Sequence, residues 1–278
     1  MVPGSPRPCL PLTSKSAKSG HPPAHHGHSP ANRIRSTPKP QHVSVLGRPR
    51  SQVLEPRAAG TRAAVRILLA SRSLLDHQRT ANRNALTALL RGTDLGIDAR
   101  AALRDTQITA IAAWRTANNT DPVIRIARAE AKRLALAVKD LTGRLGENHK
   151  ELAQLTEELA PGLQSVPGVG PVTAAIIICA YSHHGRIRTE AAFAALGGVA
   201  PRPASSGNTT RHRLNRSGDR QLNRAFDVIV RTRMSFDPAT KDYVTRSRAA
   251  GKSNREIRRN LKRYVCRSIF RQLQTIMA

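Results

Sequence analysis

Aromatic side chains are scarce in this 278-residue sequence, which has four Phe, three Tyr and one Trp. That shortage argues against surfaces that hold nucleic acid by stacking successive bases on rings, such as an RRM sheet or an OB-fold groove. Cysteine is nearly as rare. Cys9, Cys179 and Cys266 are far apart and odd in number, and no CxxC or Cys/His pair has zinc spacing. The pattern supports neither a disulfide framework nor a structural metal, and it fits a reducing cytoplasm. Long apolar runs are missing too. The longest, Val172–Ala180, is about half of what a bilayer-spanning helix needs. The N-terminus lacks the apolar centre of a signal peptide. Acidic residues are the last shortage: there are 18 Asp and Glu, and none precedes Glu55.

Against those 18 acids stand 46 Lys and Arg, giving a formal net charge of +28. An excess of this size goes beyond what solubility needs and points to a polyanionic partner. Most of the cations lie after residue 45, within periodic sequence, so they are not confined to a basic tail. With few aromatics, contact should fall mainly on phosphates, and binding should weaken steeply as salt rises. A basic structural RNA-binding protein of ribosomal type would share this composition.

Three regions follow from the pattern. Residues 1–50 are rich in Pro, Ser, His and basic residues, have no helical or alternating periodicity, and read as a disordered tail. Their histidines, His21, His25, His26 and His28, sit among prolines and read as solvated rather than metal-binding. Residues 51–160 read as a helical arm. Within it, 57–91 carry Val65, Leu68, Leu75, Leu86 and Leu89 on one face, and a shorter helix is expected around Ala101–Ala117 with Trp114 as a core anchor. Asp98, in the phrase TDLGID, reads as a loop acid or helix start rather than a metal ligand. From residue 122 to 160, Leu134, Val138, Leu141, Leu145, Asn148, Leu152, Leu155 and Leu159 alternate spacings of four and three. That is a heptad seam with one polar position. It can pair antiparallel with residues 57–91 or with a second copy of the chain. Gly143 and Gly146 mark a place for a bend or fray.

Residues 161–278 read as a compact helical domain with three constellations. In VPGVGPVTAA, Gly168 and Gly170 permit a tight turn and Pro171 suits the first turn of an apolar helix, Val172–Tyr181. This resembles a helix-hairpin-helix element, whose amides hold a phosphate oxygen; an ordinary helix–helix turn has the same pattern. Next, Pro203 and Gly207 bracket Ser205 and Ser206, leaving a hydroxyl exposed in a turn. A serine attacking phosphate needs nearby positive charge, and Arg202, Arg211, Arg213, Arg216 and Arg220 are candidates to supply it. Finally, Ser217-Gly218-Asp219 signals a helix start. That helix would bury Leu222, Ala225 and Phe226 and expose Arg220 and Arg224. Near the C-terminus, Lys252, Arg255, Arg258, Arg259, Lys262, Arg263 and Arg267 share a helix with the apolar stripe Ile257, Leu261, Val265, Ile269 and Leu273.

The phrases PGVGPVTAA, EAAFAALGGVAPRPASSG, RHRLNRSGDRQLNRA and DYVTRSRAAGKSNREIRRNLKRYV together resemble the C-terminal half of insertion-sequence 110-type (IS116/IS110/IS902) transposases, in order over about residues 50–278. The resemblance implies DNA transposition through a serine nucleophile that joins covalently to DNA. By position this is Ser206, with Ser205 as second choice. It also implies a structured guide RNA bridging target and donor DNA, and a dimerising coiled coil in the arm. Complete members begin with a RuvC-like α/β domain whose four carboxylates hold a divalent metal such as Mg. No acid precedes Glu55 here, and no βαβ pattern lies upstream of the arm. The expectation is therefore a truncated copy with no metal site or cofactor of its own, inactive by itself.

The overall expectation is a mainly α chain in three parts (1–50, 51–160 and 161–278), cytoplasmic, binding DNA and a guide RNA and forming a homo-oligomer through its arm. DNA and RNA contacts are expected at Gly168, Gly170, Arg202, Arg211, Arg213, Arg216, Arg220 and Arg224, with no membrane contact. The rival expectation is a binding and dimerisation module without chemistry.

Overall fold

Helical periodicity governs almost all of the chain's described length. The computed structural model describes residues 60–115, 121–203, 212, 213, 215 and 217–278. The expected N-terminal tail, together with Ser205, Ser206, Arg211 and Arg216, lies outside the described residues. The described residues belong to one compact unit, mainly α as expected.

The arm consists of α1 (Thr61–Gly92), the short α2 (Asp105–Ala112) and α3 (Pro122–Leu159). Asp121 caps α3 by accepting from the Val123 amide, and Pro122 occupies its first position, where a missing N–H costs nothing. The heptad residues Leu134, Val138, Leu141, Leu145, Asn148 and Leu152 are all buried. Beyond Leu152 the buried face moves to Thr156. An untwisted helix of 3.6 residues per turn drifts away from a 3.5-residue repeat, so Leu155 and Leu159 end half-buried beside Val65.

What covers the seam is α1, running antiparallel to it. Val65 meets Leu152, Leu75 meets Leu141 and Leu145, and Leu86 and Leu90 join Ala131, Leu134 and Val138 at the far end. Asn148 is fully engaged in this intrachain pairing. Its side-chain amide donates to the Leu68 carbonyl at 3.0 Å, and its oxygen accepts from the Arg72 guanidinium at 3.3 Å. Such a partnered polar group in an apolar seam fixes register. Gly143 and Gly146 do not interrupt α3, which is continuous through both.

Two expected details of the arm differ. The helix expected at 101–117 spans only Asp105–Ala112, because Leu103 is drawn into the core ahead of it and the Gln107 side chain accepts from the Arg104 amide to start the helix there. On α1 the distal apolar contact is Leu90, with Leu89 only half-buried. Trp114 packs against the core at the tip, under the Arg128 guanidinium 4.4 Å from its ring centre. Asp98 is a loop acid. It accepts from the backbone and guanidinium of Arg100, and these bonds hold its carboxyl down at about 2.

The C-terminal part follows through a 3-10 turn (Leu163–Ser165), α4 (Pro171–Tyr181), α5 (Glu190–Leu196), a two-stranded ribbon of β1 (Arg202–Pro203) and β2 (His212–Arg213), α6 (Arg220–Phe236), α7 (Pro238–Ala249) and α8 (Asn254–Ile276). Helix α4 is apolar around most of its circumference and is buried on several sides, with Ala175 sharing a cluster with Val65 and Leu152. Phe193 lies at the centre of the aromatic core, between Tyr181, Phe226 and Phe270, with ring centres 5.7 to 6.2 Å away. Fully burying such a ring contributes roughly 1.5–3 kcal/mol. No helix among the described residues is long and apolar enough to cross a membrane.

Candidate nucleic-acid interface

Helix α6 begins as its sequence requires. Asp219 caps it, accepting from the Gln221 and Leu222 amides at 2.8 and 3.0 Å. Leu222, Ala225 and Phe226 enter the core, while Arg220 and Arg224 stay exposed. Helix α8 begins with a reciprocal cap between Ser253 and Glu256. It buries Ile257, Leu261, Val265, Ile269 and Leu273, the stripe expected from spacing. Arg255, Arg258, Arg259 and Lys262 of α8 face the cleft toward α6. A cleft of about 560 Å³ lies between them, lined by Arg220, Arg224, Arg255, Arg258, Arg259 and Lys262 among others.

One carboxylate organises that cleft. Asp227 of α6 lies 2.7 Å from the Arg258 guanidinium, 3.0 Å from the Lys262 ammonium and 3.2 Å from Arg231. Lys262 also donates to Asn223, whose amide donates in turn to the Gly197 carbonyl. Burial pushes the Asp227 carboxyl upward, but the hydrogen bonds and charges of Lys262 and Arg258 outweigh it and hold the group below the usual carboxylate range. On the flank, Glu190 of α5 pairs with Arg263 and Arg267. By contrast, none of Arg220, Arg224, Arg255 and Arg259 makes an ion pair among the described residues. The cleft thus keeps a surplus of unpaired guanidinium groups facing solvent, an arrangement that attracts phosphate.

The ribbon is flanked in sequence by Pro201 and Asn215, which line the space adjoining the cleft. Arg202 pairs with Arg213, and Pro203 with His212, in antiparallel register. Residues 204–211, which include both serines, connect the two strands. Below the ribbon the chain makes a close crossing. The Asp219 amide donates to the Leu196 carbonyl at 2.7 Å. Gly198 and Gly218 have φ of +64° and +109°, and a Cβ on either would come within 2.8 Å of backbone on the other segment. Asn215, buried between them, accepts from the Ser217 amide and hydroxyl at 3.1 and 2.7 Å.

The structure therefore brings Arg220 and Arg224 together with the basic face of α8 and puts the Arg202 and Arg213 backbones in the ribbon. Gly168 and Gly170 are elsewhere, on the α4 turn. Gly168 packs against α6, where an added Cβ would lie 2.9 Å from the Ile229 carbonyl oxygen. Arg233 holds the same turn through the Pro167 carbonyl. Two amides of this turn are already engaged: Val169 donates to Val166, and Gly170 to the Thr173 hydroxyl. Asn215, Asn223 and Asp227 were not singled out from sequence. Asp227 was nonetheless visible there as an acid seven residues after Arg220, on the same helical face. Asn215 was visible as the start of an Asx turn two residues before Ser217.

Among the described residues, no group of three or more His, Cys, Asp or Glu side chains is placed to hold a metal ion. Burial raises the Cys179 thiol to about 11 and the Cys266 thiol to about 12, so neither is a nucleophile near neutral pH.

The fold and cleft define a helical protein with an arginine-lined groove and a two-stranded ribbon. Residues 160–245, which contain the ribbon and the start of the groove, match the family model described as Transposase IS116/IS110/IS902 family. An insertion element IS110 uncharacterized 43.6 kDa protein from Streptomyces coelicolor (strain ATCC BAA-471 / A3(2) / M145) is 35% identical over 117 residues, covering 42% of this chain and 29% of that protein. The chain thus spans less than a third of the length of this relative. Both comparisons show a likeness to proteins of IS110-type insertion elements, and the first to their transposases.

Asp227 provides a test by pH. A carboxyl held below its ordinary value of about 3.9 contributes stability above that pH and loses it as pH falls through the lower folded value. Asp227→Asn should lower stability at pH 7 by roughly 1–2 kcal/mol, and the difference from wild type should fade as pH drops through the lowered folded value. Melting curves from pH 2 to 8 measure this. Equal melting temperatures at pH 7 would remove Asp227 as the organising group.

Proposed function

We propose that this chain binds DNA along the α6–α8 groove and contributes Ser206 as the nucleophile of DNA strand recombination in an insertion-sequence transposition system. The observation that carries the reading is the set of unpaired guanidinium groups of Arg220, Arg224, Arg255 and Arg259 that line one cleft, a cleft whose lining residue Asn215 closely follows the serine-bearing loop in sequence. In the reaction, the Ser206 hydroxyl loses its proton as its oxygen bonds to phosphorus. The bond from phosphorus to the leaving strand breaks, and the released sugar oxygen takes up a proton. Guanidinium groups stabilise the charge that develops on the phosphoryl oxygens. Ser205 is the second choice for the nucleophile. Arg202, Arg211, Arg213 and Arg216 are further candidates for phosphate contact.

On this reading the metal-binding carboxylates come from outside the described residues, so the chain alone binds DNA without completing strand exchange. A structured guide RNA and a second copy of the chain are its further partners, and the cytoplasm is where they meet. Because α1 covers the heptad seam, pairing between arms would use another surface; Ile67 and Leu74 stand exposed on α1. The Gly168–Gly170 turn would add backbone contacts through amides left over from its internal bonds.

Salt dependence of duplex DNA binding tests the groove. Each phosphate contact removed should reduce the slope of log K against log salt by about 1. Arg220→Ala, Arg224→Ala, Arg255→Ala and Arg259→Ala combined should therefore flatten the slope by about 3 to 4 and weaken binding on different DNA sequences alike. An unchanged slope and affinity would sink the groove as the DNA interface.

A further inference from the structure

A second chamber of about 460 Å³ opens off the arginine cleft, on the side toward the ribbon. The two share Asn215, Asn223, Arg259 and Lys262 in their walls, so a single ligand can occupy both. Their linings differ. The cleft is faced by cations, whereas one wall of the chamber is Val199, Ala200 and Pro201, the segment leading into β1. Opposite them stand Arg259 and Asn260 of α8, with the buried Asn215 alongside.

The polar groups of this chamber are only partly used. Asn215 accepts two bonds from Ser217 through its oxygen. The Asn260 side chain makes no hydrogen bond, and Arg259 no ion pair, among the described residues. An apolar wall facing the carboxamides of Asn215, Asn223 and Asn260 and the guanidinium of Arg259, with Glu256, Lys262 and Arg263 completing the lining, is suited to a flat, heteroatom-rimmed group. The wall takes its face, and the amides and guanidinium read its edge, as asparagine and arginine do with base edges elsewhere. A phosphate alone would have no use for the apolar side. The volume lies within the usual range of small-ligand sites, about 300–1,000 Å³.

We propose that this chamber holds one unpaired nucleobase while the adjoining phosphates lie in the arginine cleft. The proposal rests on the reading of the cleft as a nucleic-acid interface, and it adds a substrate feature: the bound strand has at least one base out of its duplex at this position. Extruding a base carries an unstacking cost that is least where the strand is already unpaired. The chamber therefore favours single-stranded or locally opened substrate. Asn260 acts as a base-contacting residue and Ala200 as part of the wall on which the base lies.

Fluorescence anisotropy separates the two layers of this account. The probes are labelled 20-nucleotide single strands of DNA and of RNA, each made with normal bases and with abasic sugars at all internal positions. The full chain should bind the base-bearing strand about tenfold more tightly than its abasic counterpart, as expected for one captured base. Asn260→Ala should reduce that ratio severalfold, and Ala200→Leu, which fills the chamber, should bring it close to one. Both variants should bind abasic strands like wild type, with thermal melting confirming their folding. A preference in DNA, in RNA or in both supports the proposal and identifies the strand that supplies the base. A wild-type ratio near one in both, with Arg255→Ala still weakening all four probes, overturns the chamber and leaves the cleft standing. Loss of the ratio in neither variant overturns it as well. If Arg255→Ala weakens none of the probes, the cleft itself fails and the chamber with it.

Discussion

At Gly198 and Gly218 two stretches of backbone cross so closely that no side chain fits between them, and the candidate interface is built outward from that contact. The residue after Gly218 starts α6 and donates its amide to the end of α5. The residues after Gly198 form one wall of the nucleobase chamber and then the first strand of the ribbon. A side chain at either glycine would demand both a strained backbone and displacement of a main-chain atom. The crossing therefore fixes three things at once: where α6 begins, where the serine-bearing loop leaves the core, and how far both stand from α8.

Charge completes what the crossing starts. A surface with this many arginines would repel itself without acids at the right places. Asp227 binds cations from α6 and α8 together, and Glu190 ties α5 to α8. The ion pairs are partly exposed, and each is worth little by itself. Their effect is positional. They neutralise the cations at the base of the groove and leave those at its rim unpaired, so the potential that draws in a polyanion is concentrated where a strand would lie.

Much of this was legible in the sequence where local rules act alone. Ser217-Gly218-Asp219 announced α6, and its buried and exposed sides followed from helical spacing. The apolar stripe of α8 was equally readable. The heptads of α3 were plain too, but a heptad reports only that a seam exists. Its partner proved to be α1, and Asn148 matched Leu68 and Arg72 across more than 70 residues of sequence. Contacts over such distances leave no local trace. The same holds for the two glycines: their need for space became visible only when the segments met. The Gly168 turn shows the same limit: its spacing announced a tight turn, but not that Gly168 makes room for α6. Residues 204–211 lie outside the described residues, so Ser206 rests on the resemblance and on the strands that flank it.

The central claim is that the serine-bearing loop and the arginine groove engage one strand together. Photocrosslinking tests it most directly: a benzophenone-bearing residue replaces either Ser206 or Arg224, and the crosslinked nucleotides are mapped on the same bound DNA. The account predicts crosslinks on one strand, within a few nucleotides of each other. Crosslinks from position 206 and position 224 on separate duplexes, or DNA captured at 224 and never at 206, would contradict it.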